Sequence, residues 1–169
     1  MAIKVGDAFP DAVLTYIPYD PANPDACGLP QQLKTHEAFK DKKVVLFAVP
    51  GAFTPTCSEQ HLPGYVEHIA ELKRKGADIV ACVATNDLFV MHAWGNSLKV
   101  KDDILMLSDA NGELGNALGL TIDLTDKRMG AVRLARFAII IDNLKATYVG
   151  VESAPGVTVS GAPAVLAKL

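Results

Sequence analysis

The chain is predicted to fold as an α/β protein in which a central mixed β-sheet is flanked by helices on both faces. Three observations carry this. Two continuous apolar runs, KKVVLFAVP from Lys42 to Pro50 and DIVACVAT from Asp78 to Thr85, have the length and composition of strands buried on both faces. Segments of helical character alternate with them, the arrangement of strands joined by crossover helices. Near the end, two apolar segments follow one another directly and meet at Asp142-Asn143, which reads as a hairpin and so as an antiparallel edge.

In chain order, the first strand is expected over Ala12 to Ile17. The loop PYDPANPDACGLP follows, where repeated prolines between Pro18 and Pro30 discourage regular structure. A short helical piece is expected at Thr35 to Phe39, ahead of the first buried strand. A helix from Thr54 to Lys75 comes next, then the second buried strand at Asp78 to Thr85. Further alternation follows, with a helix at Leu88 to Leu98, a strand at Ile104 to Leu107 and a short helix at Glu113 to Leu118. The hairpin strands are Arg136 to Asp142 and Lys145 to Val151, and a last helix lies near Ala162 to Lys168. With no repeat and no low-complexity tract, 169 residues fit one domain spanning 1–169. The alternation fits a thioredoxin-like sheet, and the closing hairpin favours it over a small flavodoxin-like one.

Composition narrows the function classes. A formal net charge of −3 provides no basic footprint for nucleic acid or an anionic membrane surface, so neither partner is expected. No apolar stretch approaches the roughly 18 residues that span a bilayer, and the opening MAIKVGDAFP lacks the apolar core of a secretory signal. A cytoplasmic location is therefore expected, with the peroxisome as an alternative because Ala167-Lys168-Leu169 is similar to the S-K-L address. The three cysteines, at 27, 57 and 82, are odd in number and contain no C-x-x-C pair. They exclude a closed disulfide framework, make a zinc site unexpected, and leave any thiol chemistry to single cysteines.

One stretch concentrates that chemistry. In VPGAFTPTCSEQ, from Val49 to Gln60, a buried strand gives way to Pro, Gly and Pro and then to a lone cysteine between hydroxyls. Thr54 stands at the expected N-cap, Pro55 at the first helical position and Cys57 in the first turn. Free backbone N–H groups and the positive end of the helix dipole favour a negative charge there, so a partly exposed thiol is biased toward thiolate. The competing reading is an inert buried cysteine with Thr54 and Ser58 merely capping. His61, four residues on and on the same helix face, raises a cysteine–histidine pair or two metal ligands; with no third ligand nearby, neither is complete. His36, His68 and His92 read as surface residues, and Phe89 and Trp94 as residues that pack in the core or at a subunit interface. A cationic donor near the thiol could be Arg128, Arg133 or Arg136, and spacing alone does not choose.

The motif PGAFTPTC resembles the peroxidatic signature of the peroxiredoxins. The likeness extends through VGDAFPD near the start, HLPGY at His61 to Tyr65, Asn86-Asp87, AWG at Ala93 to Gly95 and RFA at Arg136 to Ala138. Covering nearly the whole chain, it is similar to the type II, or type 5, subfamily. The resemblance implies a thiol peroxidase, without metal, flavin or haem, acting on hydrogen peroxide and alkyl hydroperoxides. It implies Cys57 as the nucleophile that becomes a sulfenic acid, Thr54 as the hydroxyl that orients peroxide, Arg136 as the active-site arginine and Pro50 as the shield of the thiolate. The reductant is expected to be thioredoxin, or glutathione with glutaredoxin. DACGLP, with Cys27 thirty residues before Cys57, resembles members in which this loop cysteine resolves the sulfenic acid across a homodimer. Other members carry a cysteine matching Cys82, which is the alternative; from the residues themselves Cys82 reads as strand-core packing. Two other functions fit the residues: a redox sensor that stops at one oxidised cysteine, and a cysteine hydrolase using Cys57 and His61.

Overall fold

The computed structural model describes residues 1–26 and 28–169; the expectations placed on Cys27 fall outside the described residues. Its elements run β1 (Val13–Tyr16), β2 (Gln31–Lys34), α1 (Thr35–Ala38), β3 (Lys43–Ala48), a π-helical turn (Cys57–His61), α2 (Leu62–Arg74), β4 (Ile79–Ala84) and α3 (Leu88–Ser97). They continue as β5 (Leu105–Ser108), α4 (Glu113–Leu118), β6 (Thr121–Ile122), a 3₁₀ turn (Thr125–Lys127), β7 (Arg133–Leu134), β8 (Phe137–Asp142), β9 (Lys145–Val151) and α5 (Ala162–Leu166). Seven strands form one sheet in the order β2-β1-β5-β4-β3-β8-β9. The β3–β4 and β4–β5 pairs are parallel and the rest antiparallel, so the sheet is mixed as predicted.

Both faces are covered, and the period of two along the central strands divides them. Val45, Phe47 and Val49 point into a layer with Leu62, Tyr65 and Leu72 of α2, Trp94 of α3 and Val165 of α5. Val44, Leu46 and Ala48 point into the opposite layer with Phe39 and with Leu114 and Leu118 of α4. β3 is therefore apolar at consecutive positions because neither face meets water. Each such valine, leucine or phenylalanine contributes about 1.5–3 kcal/mol by burial.

Three strands and one turn depart from expectation. β2 has a single buried residue, Leu33, in QQLK, so it carries no apolar alternation and exists by pairing with β1. β6 and β7 are two residues each and form a separate ribbon. The hairpin turn is centred on Asn143 and Leu144, with φ of 44° and 65°, one residue later than the expected joint; two consecutive left-handed residues are what a two-residue hairpin turn requires.

Strand register brings distant residues to one end of the sheet. Ala48 at the carboxyl end of β3 pairs with Phe137 at the start of β8, which sets Arg136 beside the loop that leaves β3. Phe137 in turn pairs with Val151 of β9, so Glu152 lies next to Arg136 and its backbone N–H donates to the Arg136 carbonyl at 2.9 Å.

Candidate active site

The loop from Val49 to Thr54 turns at the carboxyl end of β3 and leads into a helix that begins at Pro55, as expected. The Thr54 carbonyl accepts the first intrahelical bond, from Ser58 N at 3.0 Å. Its side chain does not cap the helix: Thr54 Oγ1 donates its proton to the Gly51 carbonyl at 2.8 Å. A nearer neighbour has taken that hydroxyl. Phe53, with φ of 62° and its ring exposed, makes the tight reversal that brings Thr54 back to Gly51.

Cys57 opens the π-helical turn, in which the Leu62 N–H reaches back to the Cys57 carbonyl. The partial exposure on which the bias toward thiolate is conditioned is absent. Cys57 is 0 % exposed and lies in the core layer with Val49, Ala52 and Leu62. A cleft of about 410 Å³ is lined by Pro50, Thr54, Thr56, Arg136 and Glu152, with Ile122, Leu124, Met129 and Ala135 forming much of its apolar wall. Arg136 connects the cleft to the thiol: it lines the first, and its Nη2 donates to the Cys57 sulfur at 3.3 Å.

The other arginines are elsewhere. Arg133 donates from Nε to the Met129 carbonyl at 2.7 Å, and from Nη1 to the Pro50 carbonyl at 3.3 Å and Asn86 Oδ1 at 3.4 Å. Asn86 Oδ1 also accepts from Ala52 N at 2.8 Å, so Arg133 and Asn86 together brace the loop before the cysteine. Arg128 stands in the left-handed conformation at the end of the 3₁₀ turn, fully on the surface.

Both ring nitrogens of His61 are engaged, and neither is engaged by the Cys57 sulfur. Arg136 Nη1 lies 3.0 Å from His61 Nδ1, and since a guanidinium can only donate, Nδ1 is the acceptor. The proton therefore sits on Nε2, which donates to the Ser160 carbonyl at 3.0 Å. Tyr65, one helical turn on, donates to the same carbonyl at 2.7 Å. Beneath them Phe47 stacks on Tyr65 with ring centres 3.8 Å apart, and His61 tilts against Phe47. The π turn thus points residues 57 and 61 at the two arms of one guanidinium.

Burial, and next the Arg136 charge, push the His61 imidazole down to about 4, although its bond to Ser160 works the other way. The folded value lies below the unfolded one near 6.5, so between them the unfolded chain takes up a proton that the folded chain refuses. Stability from this residue is complete above pH 6.5 and falls as the pH drops toward 4, by about 3 kcal/mol. Urea midpoints measured from pH 7 to pH 4.5 are expected to decline in the native protein. The decline is expected to flatten in His61→Asn, which keeps an acceptor near Nδ1 and cannot titrate.

The remaining residues singled out in the sequence fall into place around this centre. Cys82 is 0 % exposed in the middle of β4, between Phe47 of β3 and Met106 of β5, and burial pushes its thiol well up. His92 is buried, not on the surface, with Nε2 near the Ala26 carbonyl at 3.2 Å. His36 and His68 each meet a backbone carbonyl. Trp94 is in the core and donates to Ser58 Oγ at 3.0 Å, whereas Phe89 is exposed. Among the described residues no cluster of three His, Cys, Asp or Glu side chains could hold a metal ion.

A sheet with helices on both faces and a helix-borne cysteine enclosed at one strand end define a thioredoxin-like protein centred on a single thiol. Comparison with known proteins places it further. The Redoxin family model matches residues 4–166. Peroxiredoxin-2B of Arabidopsis thaliana is 43% identical over 167 residues, covering 99% of this chain and 98% of that one. Peroxiredoxin-2E-2 of Oryza sativa subsp. japonica, a chloroplastic protein, is 47% identical over 169 residues, covering 99% of this chain and 72% of its own length. Among solved structures, reduced Prx3 of Vibrio vulnificus in complex with hydrogen peroxide superposes with a TM-score of 0.87 at 43% identity, over 98% of each chain. Peroxiredoxin 5 of Alvinella pompejana does so with a TM-score of 0.80 at 35% identity, over 98% of this chain and 97% of that one. The chain belongs to the redoxin family, as a peroxiredoxin of the type II or type 5 subfamily, and is a thiol-dependent peroxidase.

Proposed function

We propose that this peroxidase reduces hydrogen peroxide and alkyl hydroperoxides through Cys57, with Thr54, Arg136 and Pro50 as its other catalytic residues. The observation that carries the reading is Arg136, whose guanidinium meets the Cys57 sulfur at 3.3 Å while lining the cleft shared with Thr54 and Pro50. The thiolate attacks the terminal peroxide oxygen. An S–O bond forms as the O–O bond breaks, and the leaving oxygen takes a proton and departs as water or alcohol. Cys57, oxidised by the two electrons that reduce the peroxide, is left as a sulfenic acid. Arg136 is always charged and stabilises the negative charge moving onto the leaving oxygen. The Thr54 hydroxyl, its proton held by Gly51, accepts from the peroxide O–H and orients it. Pro50 keeps water from the sulfur and brings no N–H of its own.

A second thiol then attacks the sulfenic sulfur and expels water to give a disulfide. Cys27 of the other subunit of a homodimer fills this role in our reading. Cys82 is the alternative, disfavoured by its enclosure in mid-strand and by a thiol that burial keeps protonated. Thioredoxin, or glutathione with glutaredoxin, restores the thiols. A cytoplasmic location completes the proposal. The alternative is the peroxisome, from the likeness of Ala167-Lys168-Leu169 to the S-K-L address, and a fluorescent fusion with and without these three residues decides between them.

Catalytic loss of hydrogen peroxide and tert-butyl hydroperoxide with reduced thioredoxin or glutaredoxin is the test. Many turnovers are expected; one equivalent makes the chain a sensor, and no consumption overturns the reading. On a non-reducing gel after one equivalent of peroxide, a dimer band is expected that Cys27→Ser loses and Cys82→Ser keeps. A monomer-only pattern moves the resolving role to Cys82 or to an external thiol.

A further inference from the structure

Glu152 lies beside Arg136 across the β8–β9 ladder, yet its carboxylate does not pair with the guanidinium. It turns to the segment that follows β9. Oε1 accepts from Thr158 N at 2.6 Å, from Ser160 N at 2.8 Å and from Ser160 Oγ at 2.8 Å, and Oε2 accepts from Thr158 Oγ1 at 2.6 Å. Partial burial opposes its charge, but the hydroxyl and amide donors of Thr158 and Ser160 outweigh this and hold the carboxyl at about 2. A carboxylate that accepts four bonds is a strong anchor for a short segment.

Alternate residues of β9 and its end shape the same seat. Tyr148 donates from its hydroxyl to the Val159 carbonyl at 2.7 Å. At Gly150 a Cβ would stand 2.4 Å from the Val159 carbonyl oxygen, so only glycine lets the segment lie this close. Residues 148, 150 and 152 thereby fix one feature that the site uses, the direction of the Ser160 carbonyl. That carbonyl takes the protons of His61 Nε2 and Tyr65. With the imidazole proton held on Nε2, Nδ1 is free to accept from Arg136 Nη1, and Nη2 is left on the sulfur.

We propose that Glu152 is a positioning residue for peroxide reduction, setting the Arg136 guanidinium on Cys57 through the Ser160 carbonyl and the tautomer of His61. The kinetic part rests on the peroxidase reading given above; the tautomer part does not. A direct Glu152–Arg136 ion pair would compete with the sulfur for the guanidinium. Routing the carboxylate through a carbonyl and an imidazole orients Arg136 without placing a counter-charge against it.

Glu152→Gln tests this, because the amide offers donors where Thr158 and Ser160 also donate. The second-order rate constant for hydrogen peroxide is expected to fall about ten- to hundredfold in the otherwise native protein. In an Arg136→Met background the same change is expected to alter the rate by less than about twofold, since the route ends at the missing guanidinium. In parallel, the ¹⁵N shifts of His61 are expected to report one Nε2–H tautomer in the native protein and a mixture in Glu152→Gln. Equal losses in both backgrounds, no loss in either, or an unchanged tautomer would overturn the proposal. If the native protein consumes no peroxide, the functional reading fails while the tautomer measurement still decides the coupling. Should Glu152→Gln not fold, Ser160→Ala removes one hydroxyl donor to the carboxylate and is judged by the same criteria.

Discussion

Peroxide consumption is expected to fall to background in Cys57→Ser, a loss on the order of 10⁵- to 10⁶-fold, the scale on which covalent catalysts lose activity with their nucleophile. A hydroxyl at this position stays protonated, and no general base stands by to activate it. His61 is bonded to Arg136 and Ser160 and has no lone pair to offer. The fold is expected to survive, because the smaller serine oxygen can still accept from Arg136 Nη2 within the same enclosure. Stopped-flow peroxide reduction and thermal unfolding, run on the same preparation, check both halves. Retained activity in a folded serine variant would move the chemistry away from this residue.

Arg136→Met is expected to lower the rate constant for hydrogen peroxide by about 10²- to 10³-fold, the range for removing one preorganised donor from developing charge. Methionine replaces the volume of the stem but leaves Cys57 and His61 Nδ1 without their common donor. Arg133→Met is expected to cost roughly tenfold, since it loosens the Pro50 carbonyl and Asn86 without touching the sulfur. Rates taken under identical conditions check the ranking. The opposite order would mean that bracing of the loop, and not the guanidinium on the thiol, governs the reaction.

These two arginines also mark how far the sequence could be read. Their spacing is uninformative, because both precede β8 and differ only in which neighbour each guanidinium finds. The RFA landmark singles out Arg136, and the β3–β8 register gives the physical reason that it reaches the loop after β3. The buried strands were legible because nothing polar interrupts Val44 to Val49 or Val80 to Ala84. β2 was not, since its bonds to β1 are made by backbone and leave no trace in QQLK. Cys57 stood out by its place at a helix start, but its enclosure did not, because the covering layer comes from other elements. His61 was visible as a neighbour of Cys57 on one helix face. Its actual partners, 75 and 99 residues away, are brought in by the sheet, and no local pattern announces them. The one clue was the shared face of His61 and Tyr65, which suits two donors converging on a single carbonyl.

The hydroxyl of Thr54 has one hydrogen, and Gly51 holds it. Toward anything entering the cleft this side chain is an acceptor alone, so it favours a molecule that brings a hydrogen of its own on oxygen or nitrogen. Hydroperoxides carry one on the oxygen next to the bond that breaks. Dialkyl peroxides and disulfides carry none, and for them the threonine presents an unmatched lone pair in a partly enclosed space. If Cys57 reduces peroxides as proposed, this single intraloop hydrogen bond favours oxidants that are still protonated, before any electron moves.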